Sequence, residues 1–277
     1  MVQRSVGLSA STLEAIAGLE RRVVSADGGR LKLEWNALRH RAGRDVEDLL
    51  WWIDGRLAGF LGIYSHGAPV LELAGMVDPE FRRRGIGTAL LEDAVEVCRG
   101  RPHTAALLVV PRASVAGRGL ALRRGGTLDH SEHALRLVGP PSDVRVDPLV
   151  TVRAATPADL PAVHEILSAA FGWEDPGTVG VDPDLLVIER ESTLIGTVRV
   201  HPEGDTAGVY GFAIHPDHQG RGIGRDVLHR LCRQALAGGA TSVSLEVATD
   251  NDRALNLYTS LGFTQVTTED YYTVRVS

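Results

Sequence analysis

The chain has 277 residues with a formal net charge of −6, and 44% of the residues are hydrophobic and 23% charged. This composition is typical of a soluble globular protein with one large domain or two of ordinary size. The acidic balance argues against a general binder of nucleic acid or of membrane surfaces, so we expect neither as a partner.

The first predicted elements form an α/β pattern that leads into a glycine-rich loop. A helix is predicted over SASTLEAIAGLERRVV, and LLWWI and LAGFLGIY on either side of Asp54-Gly55 predict a β-hairpin. The stretch DPEFRRRGIGTALLEDAVEVC, which starts at Asp78, then joins glycines and arginines to an apolar helical pattern. Backbone with so little side chain at the start of a helix favours an anion site, because the first N–H groups of a helix have no intrahelical acceptor.

The same order of elements recurs later in the chain, so the sequence contains an internal repeat. Asp78 of the first loop corresponds to His215 of HPDHQGRGIGRDVLHRLCRQAL, an offset of 137 residues. A repeat this long predicts two copies of one domain rather than a solenoid. The proline-containing stretch GPPSDVRVDPLV, from Gly139 to Val150, is the predicted join. We therefore expect an N-terminal domain at 1–139 and a C-terminal domain at 150–277.

The second copy is the clearer of the two. VTVRAATPADLPAVHEILSAAF predicts a strand, a turn and a helix with Thr156 as its N-cap. LLVIE and LIGTVRV flank a polar turn at 190–193, and GVYGFAI predicts the strand that enters the glycine-rich loop. SVSLEV, DNDRALNLYTSLG and YYTVRV then predict a strand, a helix and a final strand. Each copy is predicted as an α/β domain with a mixed sheet.

The spacing of the second loop indicates which nucleotide family it serves. Gln219-x-x-Gly222-x-Gly224 fits neither the dinucleotide fingerprint nor the Walker loop. It resembles the acyl-coenzyme-A loop of the GCN5-related N-acetyltransferase (GNAT) family, whose pattern is Arg or Gln, two residues, Gly, one residue, and Gly or Ala. The resemblance implies two tandem acyl-CoA N-acyltransferase domains, with acetyl-CoA as the donor. A structural turn without a ligand is the alternative for such a loop.

The stretch LEVATDNDRALNLYTSLGF extends the resemblance downstream of the loop. It is similar to ribosomal-protein alanine N-acetyltransferases and to mycothiol synthases, which have tandem domains. The resemblance implies that Glu246 is a base, that Asn251 contacts the pantetheine arm and that Tyr258 faces the thioester sulfur. Mycothiol synthases carry a carboxylate just before the Val-Tyr of the fourth strand, where this chain has Gly208. Acetylation of the cysteinyl amine of a sugar–inositol thiol therefore stays an alternative.

The resemblance implies one candidate coenzyme site in each copy. In the second copy the candidate residues are Phe212, Ala213, Ile214, Gln219, Gly220, Arg221, Gly222, Ile223, Gly224, Arg225 and Asn251. The second possible site consists of Val77, Arg82, Arg83, Arg84, Gly85, Ile86, Gly87 and Thr88. Because Ala121 falls near the tyrosine position and no counterpart of Asn251 is clear, we expect the first copy to be degenerate.

The resemblance implies transfer of an acetyl group to a primary amine. An amine must lose its proton before it attacks a thioester, which is the role of Glu246; an outward-facing strand carboxylate is the alternative. We expect backbone N–H groups at 212–214 to receive the oxyanion. The resemblance implies that Tyr258 protonates the departing thiolate, and packing on the sheet is the alternative for this side chain. We expect a small-molecule amine or a peptide N-terminus as acceptor. The alternative of a different class is a non-catalytic acyl-CoA sensor or assembly module.

Other polar features receive simpler interpretations. His215 and His218 form an H-x-x-H pattern, but they flank a proline at a strand end, so we expect loop residues and no metal. Cys98 and Cys232 each fall inside a predicted helix, so we expect buried thiols in a reducing compartment. No signal-peptide core and no run of about 18 apolar residues occurs. We therefore expect a cytoplasmic protein, and the oligomeric state stays open.

Overall fold

The computed structural model describes residues 1–41, 43–65, 70–99, 101, 105–172 and 179–276. These residues form two compact units, Met1–Glu132 with Thr267–Ser277, and His133–Val266. Helices alternate with strands in both units, and the strands pair in both parallel and antiparallel directions. The predicted α/β class with a mixed sheet is therefore confirmed.

The first unit holds four of the described helices. They are α1 (Ala10–Asp27), α2 (Trp35–Arg39), α3 (Ile86–Arg99) and α4 (Val115–Arg123). Its strands are β1 (Gln3–Ser5), β2 (Asp48–Ile53), β3 (Arg56–Tyr64), β4 (Val70–Val77), β5 (Ala105–Pro111), the start of β6 (Leu128–Val138) and most of β12 (Thr264–Val274). The strand order is β1-β2-β3-β4-β5-β12-β6, and β4 and β5 are the parallel pair that flanks the first glycine-rich loop.

Helices cover both faces of the first unit's sheet. Ile16 and Leu19 of α1 pack with Phe60 in a cluster on one face. Leu90 of α3 and Ala121 of α4 belong to the cluster on the other face. This division follows from the apolar stripe of each helix, which must be buried against one side of the sheet.

Strand β12 lies in the first unit, whereas the sequence order suggested the second repeat. Its residues pair antiparallel with β5, from Glu269↔Pro111 to Val274↔Ala106. Tyr271 and Tyr272 are buried on opposite faces, in the clusters of α1 and of α3. A strand buried on both faces carries no alternation that would identify its sheet, so adjacency in sequence was the only guide.

The second unit repeats the same order of elements. Its helices are α5 (Leu160–Phe171), α6 (Ile223–Ala237) and α7 (Asp252–Ser260). Its strands are β7 (Val150–Ala154), β8 (Leu185–Arg190), β9 (Thr193–Glu203), β10 (Thr206–Ile214) and β11 (Ser242–Ala248), with the later part of β6 beside β11. The strand order is β6-β11-β10-β9-β8-β7, and β10 and β11 are parallel.

Local sequence explains how the second unit's elements begin and turn. Thr156 and Asp159 form a capping box ahead of α5, and Pro157 lies in the first turn. The predicted hairpin between β8 and β9 turns at Glu191 and Ser192, both with positive φ (51° and 66°). No described helix has the length and the apolar content that crossing a bilayer requires.

Candidate active site

The second glycine-rich loop leaves backbone N–H groups at the start of α6. Gly220 and Gly222 both adopt positive φ (77° and 81°), and α6 begins at Ile223. The first backbone hydrogen bond of the helix is donated by Asp226 N–H to the Gly222 carbonyl at 3.1 Å. The N–H groups of 223–225 therefore have no acceptor within the helix. Together with the positive end of the helix dipole, they form a site suited to an anion such as a diphosphate.

The glycines of this loop serve different purposes. A Cβ at Gly222 would have no heavy atom within 4 Å, so that side of the loop is open to a ligand. A Cβ at Gly224 would lie 3.2 Å from Leu257 Cδ1 and 3.7 Å from Phe212 Cζ. Gly224 therefore allows α6 to pack closely against α7 and β10, whereas Gly222 supplies the left-handed turn.

The polar side chains of the loop hold its shape. The Gln219 amide donates to the Ile214 carbonyl at 2.7 Å and accepts from Arg253 Nη1 at 2.8 Å. Arg221 donates from Nη2 to the Asp217 carbonyl at 3.0 Å. The side chains of Gln219 and Arg221 thus bind the loop's own backbone and α7.

The first loop has the same network with different residues. Arg82 donates from Nε to the Val77 carbonyl at 3.1 Å, as Gln219 does to Ile214, and its guanidinium also binds Asp27. Arg83 and Gly85 adopt positive φ (62° and 80°), matching Gly220 and Gly222. Helix α3 then includes Ile86, Gly87 and Thr88. The second possible site therefore has the same loop geometry as the first candidate.

Strands β10 and β11 separate next to the second loop. Their parallel register runs from Thr206↔Ser242 to Val209↔Leu245, while β10 continues to Ile214. A bulge against β9 falls between Tyr210 and Ala213. The backbone of Phe212, Ala213 and Ile214 therefore lies beyond the last β10–β11 pair, at a place where a ligand can take up hydrogen bonds that a neighbouring strand would otherwise use.

Helix α7 carries Asn251 and Tyr258. Asn251 is the N-cap, and its Oδ1 accepts from Ala254 N–H at 3.0 Å. Tyr258 is 8% exposed and packs in the α6–α7 core, with its ring centroid 6.1 Å from that of Phe263. Burial raises the pKa of the Tyr258 phenol to about 12, so the phenol keeps its proton at physiological pH.

Glu246 lies on the opposite face of β11 from that core. Val243, Leu245 and Val247 are buried against α6. Because side chains alternate along a strand, Ser244 and Glu246 face the other side of the sheet, where both are half-buried. Glu246 directly follows the last β10–β11 pair, so it lies where the strands begin to separate.

Sequence reasoning missed two features of the candidate site. Ser114 is the N-cap of α4 and accepts from Gly117 N–H at 3.2 Å, so it is the first-repeat counterpart of Asn251. In the second repeat, Glu203 and Tyr210 contact one another above Gly208. The sequence shows that position 208 has no side chain. That Glu203 lies beside this position follows only from the register of β9 and β10.

The two loop histidines have ordinary loop contacts. His215 Nδ1 accepts from Asp217 N–H at 3.3 Å, and the rings of His215 and His218 meet edge to face with centroids 6.2 Å apart. Over the residues that the structure describes, no group of three or more His, Cys, Asp or Glu side chains is arranged to hold a metal ion.

Comparison with protein families gives two matches within the chain. The acetyltransferase (GNAT) family model matches residues 16–125 and residues 155–263. Several curated relatives that extend beyond one repeat are mycothiol acetyltransferases. The protein of Thermomonospora curvata is 32% identical and covers 97% of this chain and 95% of its own. The protein of Nocardia farcinica is 30% identical, with 92% of each chain covered.

Solved structures match the fold across the whole chain. A GCN5-related N-acetyltransferase from Sphaerobacter thermophilus has a TM-score of 0.82 and 21% identity, and the match covers 100% of this chain and 95% of that one. A tandem GNAT protein from the clavulanic acid biosynthesis pathway has a TM-score of 0.70 and 16% identity, with 100% and 98% covered. At these identities the likeness concerns the fold.

Proposed function

We propose, since the chain belongs to the acetyltransferase (GNAT) family, that it is an acetyl-CoA-dependent N-acetyltransferase acting on the primary amine of a small molecule or of a peptide N-terminus. The observation that carries the proposal is the second loop, where the N–H groups of 223–225 lack intrahelical acceptors beside the open left-handed turn at Gly222. This set of donors fits the diphosphate of coenzyme A. Bound there, acetyl-CoA supplies the acetyl group as a thioester.

Glu246 is the proposed base. An ammonium group has no lone pair, and a primary amine with a pKa of about 8 to 10 is mostly protonated at neutral pH. A carboxylate at the separation of β10 and β11 can take the amine's proton directly or through a water molecule. The N–H groups of Phe212, Ala213 and Ile214 are the proposed donors to the oxyanion that the attack creates.

Tyr258 is the proposed acid that assists the departing sulfur. Its raised pKa, about 12, keeps the phenol protonated, as a hydrogen-bond donor must be. A thiol has a pKa of about 8.5, so complete proton transfer from such a phenol would be uphill by about 5 kcal/mol. We infer that Tyr258 acts mainly by donating a hydrogen bond to the developing thiolate, a contact worth about 1.5 to 3 kcal/mol.

The first repeat is proposed to be degenerate in chemistry. Ala121, buried on α4, occupies the position that corresponds to Tyr258, so this repeat lacks the phenol. Its loop retains the positive φ at Arg83 and Gly85, which supports coenzyme binding without turnover. The proposed division of labour is a binding domain at 1–139 and a catalytic domain at 150–277, and the last strand of the second sequence repeat, β12, pairs within the first unit.

The relatives favour one acceptor within the amine class. Three mycothiol acetyltransferases match more than nine-tenths of this chain at 30–32% identity. We therefore include the cysteinyl amine of a sugar–inositol thiol as the specific candidate acceptor, in a cytoplasmic setting. Gly208 departs from the resemblance to that group, which has a carboxylate at this position.

The test is turnover with a panel of amines. The release of CoA thiol is followed with acetyl-CoA and three acceptors, namely an N-terminal alanine peptide, a free amino acid, and cysteinyl-glucosaminyl-inositol with its sulfur methylated. Methylation ensures that only CoA contributes a thiol. The proposal expects turnover with at least one acceptor. Tight coenzyme binding without turnover of any amine would instead favour an acyl-CoA sensor or assembly module.

A further inference from the structure

A carboxylate and a phenol cover Gly208 in the second repeat. An ideal Cβ on Gly208 would lie 2.7 Å from Glu203 Oε1 and 2.8 Å from Tyr210 Oη. The Tyr210 hydroxyl donates a hydrogen bond to Glu203 Oε1. Glu203 comes from the neighbouring strand, where it pairs with Thr206 at the β9–β10 turn. The two side chains therefore lean toward each other along the sheet and meet above the glycine.

The first repeat has its own carboxylate at this position. Val70 pairs with Ala105 in the first unit, and Thr206 pairs with Ser242 in the second. Ala105 and Ser242 are related by the 137-residue offset of the repeat. Their pairing partners on the neighbouring strand, Val70 and Thr206, therefore occupy corresponding positions. Two residues further along β4 and β10, Glu72 therefore corresponds to Gly208.

The first repeat shows what this position binds. Lys32 Nζ lies 3.4 Å from Glu72 Oε2 and 3.8 Å from Glu132 Oε2. The same ammonium donates a hydrogen bond to the Tyr271 hydroxyl at 2.6 Å, and the Lys32 side chain is only 11% exposed. A carboxylate on the fourth strand and a tyrosine hydroxyl thus hold a primary ammonium group.

Taken with the proposed function, on which it rests, this internal counterpart suggests an acceptor subsite. We propose that Glu203, supported by Tyr210, binds the protonated primary amine of the acceptor in the second repeat. Lys32 is the only lysine in the chain, so no second lysine of this chain can take that place. A carboxylate–ammonium contact is charge-assisted and selects a cationic acceptor over a neutral one.

The subsite lies on the same face of the sheet as the proposed base. Tyr210 and Glu246 are the residues that directly follow the last β10–β11 pair, Val209↔Leu245. Both belong to the face of the sheet opposite the α6–α7 core, because Val209 and Leu245 belong to that core. An ammonium bound by Glu203 therefore lies on the same face as Glu246, which then removes its proton.

The test separates amine binding from catalysis. In Glu203→Gln the KM for S-methylated cysteinyl-glucosaminyl-inositol should rise about 10- to 100-fold at neutral pH. The kcat and the Kd for acetyl-CoA should change less than about threefold, since Glu203 is not assigned to either. The Ki of a competitive analogue with a hydroxyl in place of the amine should stay unchanged, because it has no charge for Glu203 to bind.

A matched control and a rescue variant address structural effects. Glu191→Gln makes the same charge change in the turn that precedes β9, at the opposite end of a strand that spans about 33 Å, and should leave the KM unchanged. Gly208→Glu, introduced into the Glu203→Gln/Tyr210→Ala variant, places a carboxylate on β10. This carboxylate corresponds to that of Glu72 on β4 in the first repeat. It should recover at least part of the lost amine affinity.

Two results would overturn the inference. One is an unchanged amine KM in Glu203→Gln while the wild type acetylates the amine, which leaves the proposed function intact. The other is a raised KM that affects the amine and the hydroxyl analogue equally and is not rescued by Gly208→Glu. A wild type that turns over no amine would refute the proposed function, and this subsite would fall with it.

Discussion

Tyr258→Phe is the sharpest test of the chemistry proposed for α7. The change removes one oxygen atom and leaves the aromatic packing against Phe263 in place. If the hydroxyl donates a charge-assisted hydrogen bond to the departing sulfur, its loss should raise the barrier by about 1.5 to 3 kcal/mol. That range corresponds to a fall in kcat of about 10- to 150-fold. The Kd for acetyl-CoA should change little, because the contact forms mainly as the thiolate develops.

The pH dependence of the same variant provides a second readout. Burial raises the pKa of Tyr258 to about 12, so the neutral phenol persists well above its usual range. The ratio of wild-type to Tyr258→Phe turnover should therefore stay constant from pH 7 to pH 10. A phenol with an ordinary pKa of about 10 would be half ionised at pH 10, and the ratio would fall about twofold.

The assay is steady-state release of CoA thiol, with binding of acetyl-CoA measured by calorimetry. Tyr64→Phe is the matched control, because Tyr64 is a buried tyrosine of the first repeat whose hydroxyl lies outside the proposed site. It should leave kcat within about twofold of the wild type. Unchanged turnover in Tyr258→Phe would remove Tyr258 from the mechanism, and an equal loss in both variants would attribute the effect to packing.

Three further outcomes are expected from the geometry of the loops and cores. Gly222→Ala and Gly85→Ala each place a side chain in open space at a residue with positive φ. Each should therefore lower the free energy of unfolding, measured by thermal denaturation, by about 1 to 2 kcal/mol. Only Gly222→Ala should lower kcat/KM for acetyl-CoA severely. Gly224→Val should cost about 1 to 3 kcal/mol of stability, because its side chain would press on Leu257. Burial raises the pKa of Cys98, and that of Cys232 to about 12, so iodoacetamide should label neither in the native protein at pH 8 and both after denaturation.

The sequence was sufficient for the repeat, the class and the family. The offset between Asp78 and His215 predicted two copies of one domain, and the two family matches confirm this prediction. The predicted α/β class is confirmed by the order of helices and strands. The glycines of both loops predicted backbone with little side chain at the start of a helix, and the positive φ of Gly85 and Gly222 agrees with that expectation. These features depend on local pattern, which a single sequence retains.

Features that depend on pairing between distant segments were not accessible. The pairing of β12 with β5 depends on long-range register, and its doubly buried residues show no alternation. The position of the Glu203 carboxylate above Gly208 depends on the pairing of β9 with β10. Gly224 illustrates a third case, since its role in helix packing becomes visible only when Leu257 is seen opposite it. The catalytic roles of Glu246 and Tyr258 stay predictions.

Every step proposed for this protein depends on binding of the acetyl-CoA diphosphate by the second loop. The most direct measurement is a crystal structure of the protein grown with acetyl-CoA. We expect diphosphate oxygens within hydrogen-bond distance of the N–H groups of 223–225, with the acetyl end between β10 and β11 beside Tyr258. Coenzyme bound only at the first loop, or a second loop left empty at saturating coenzyme, would contradict this expectation.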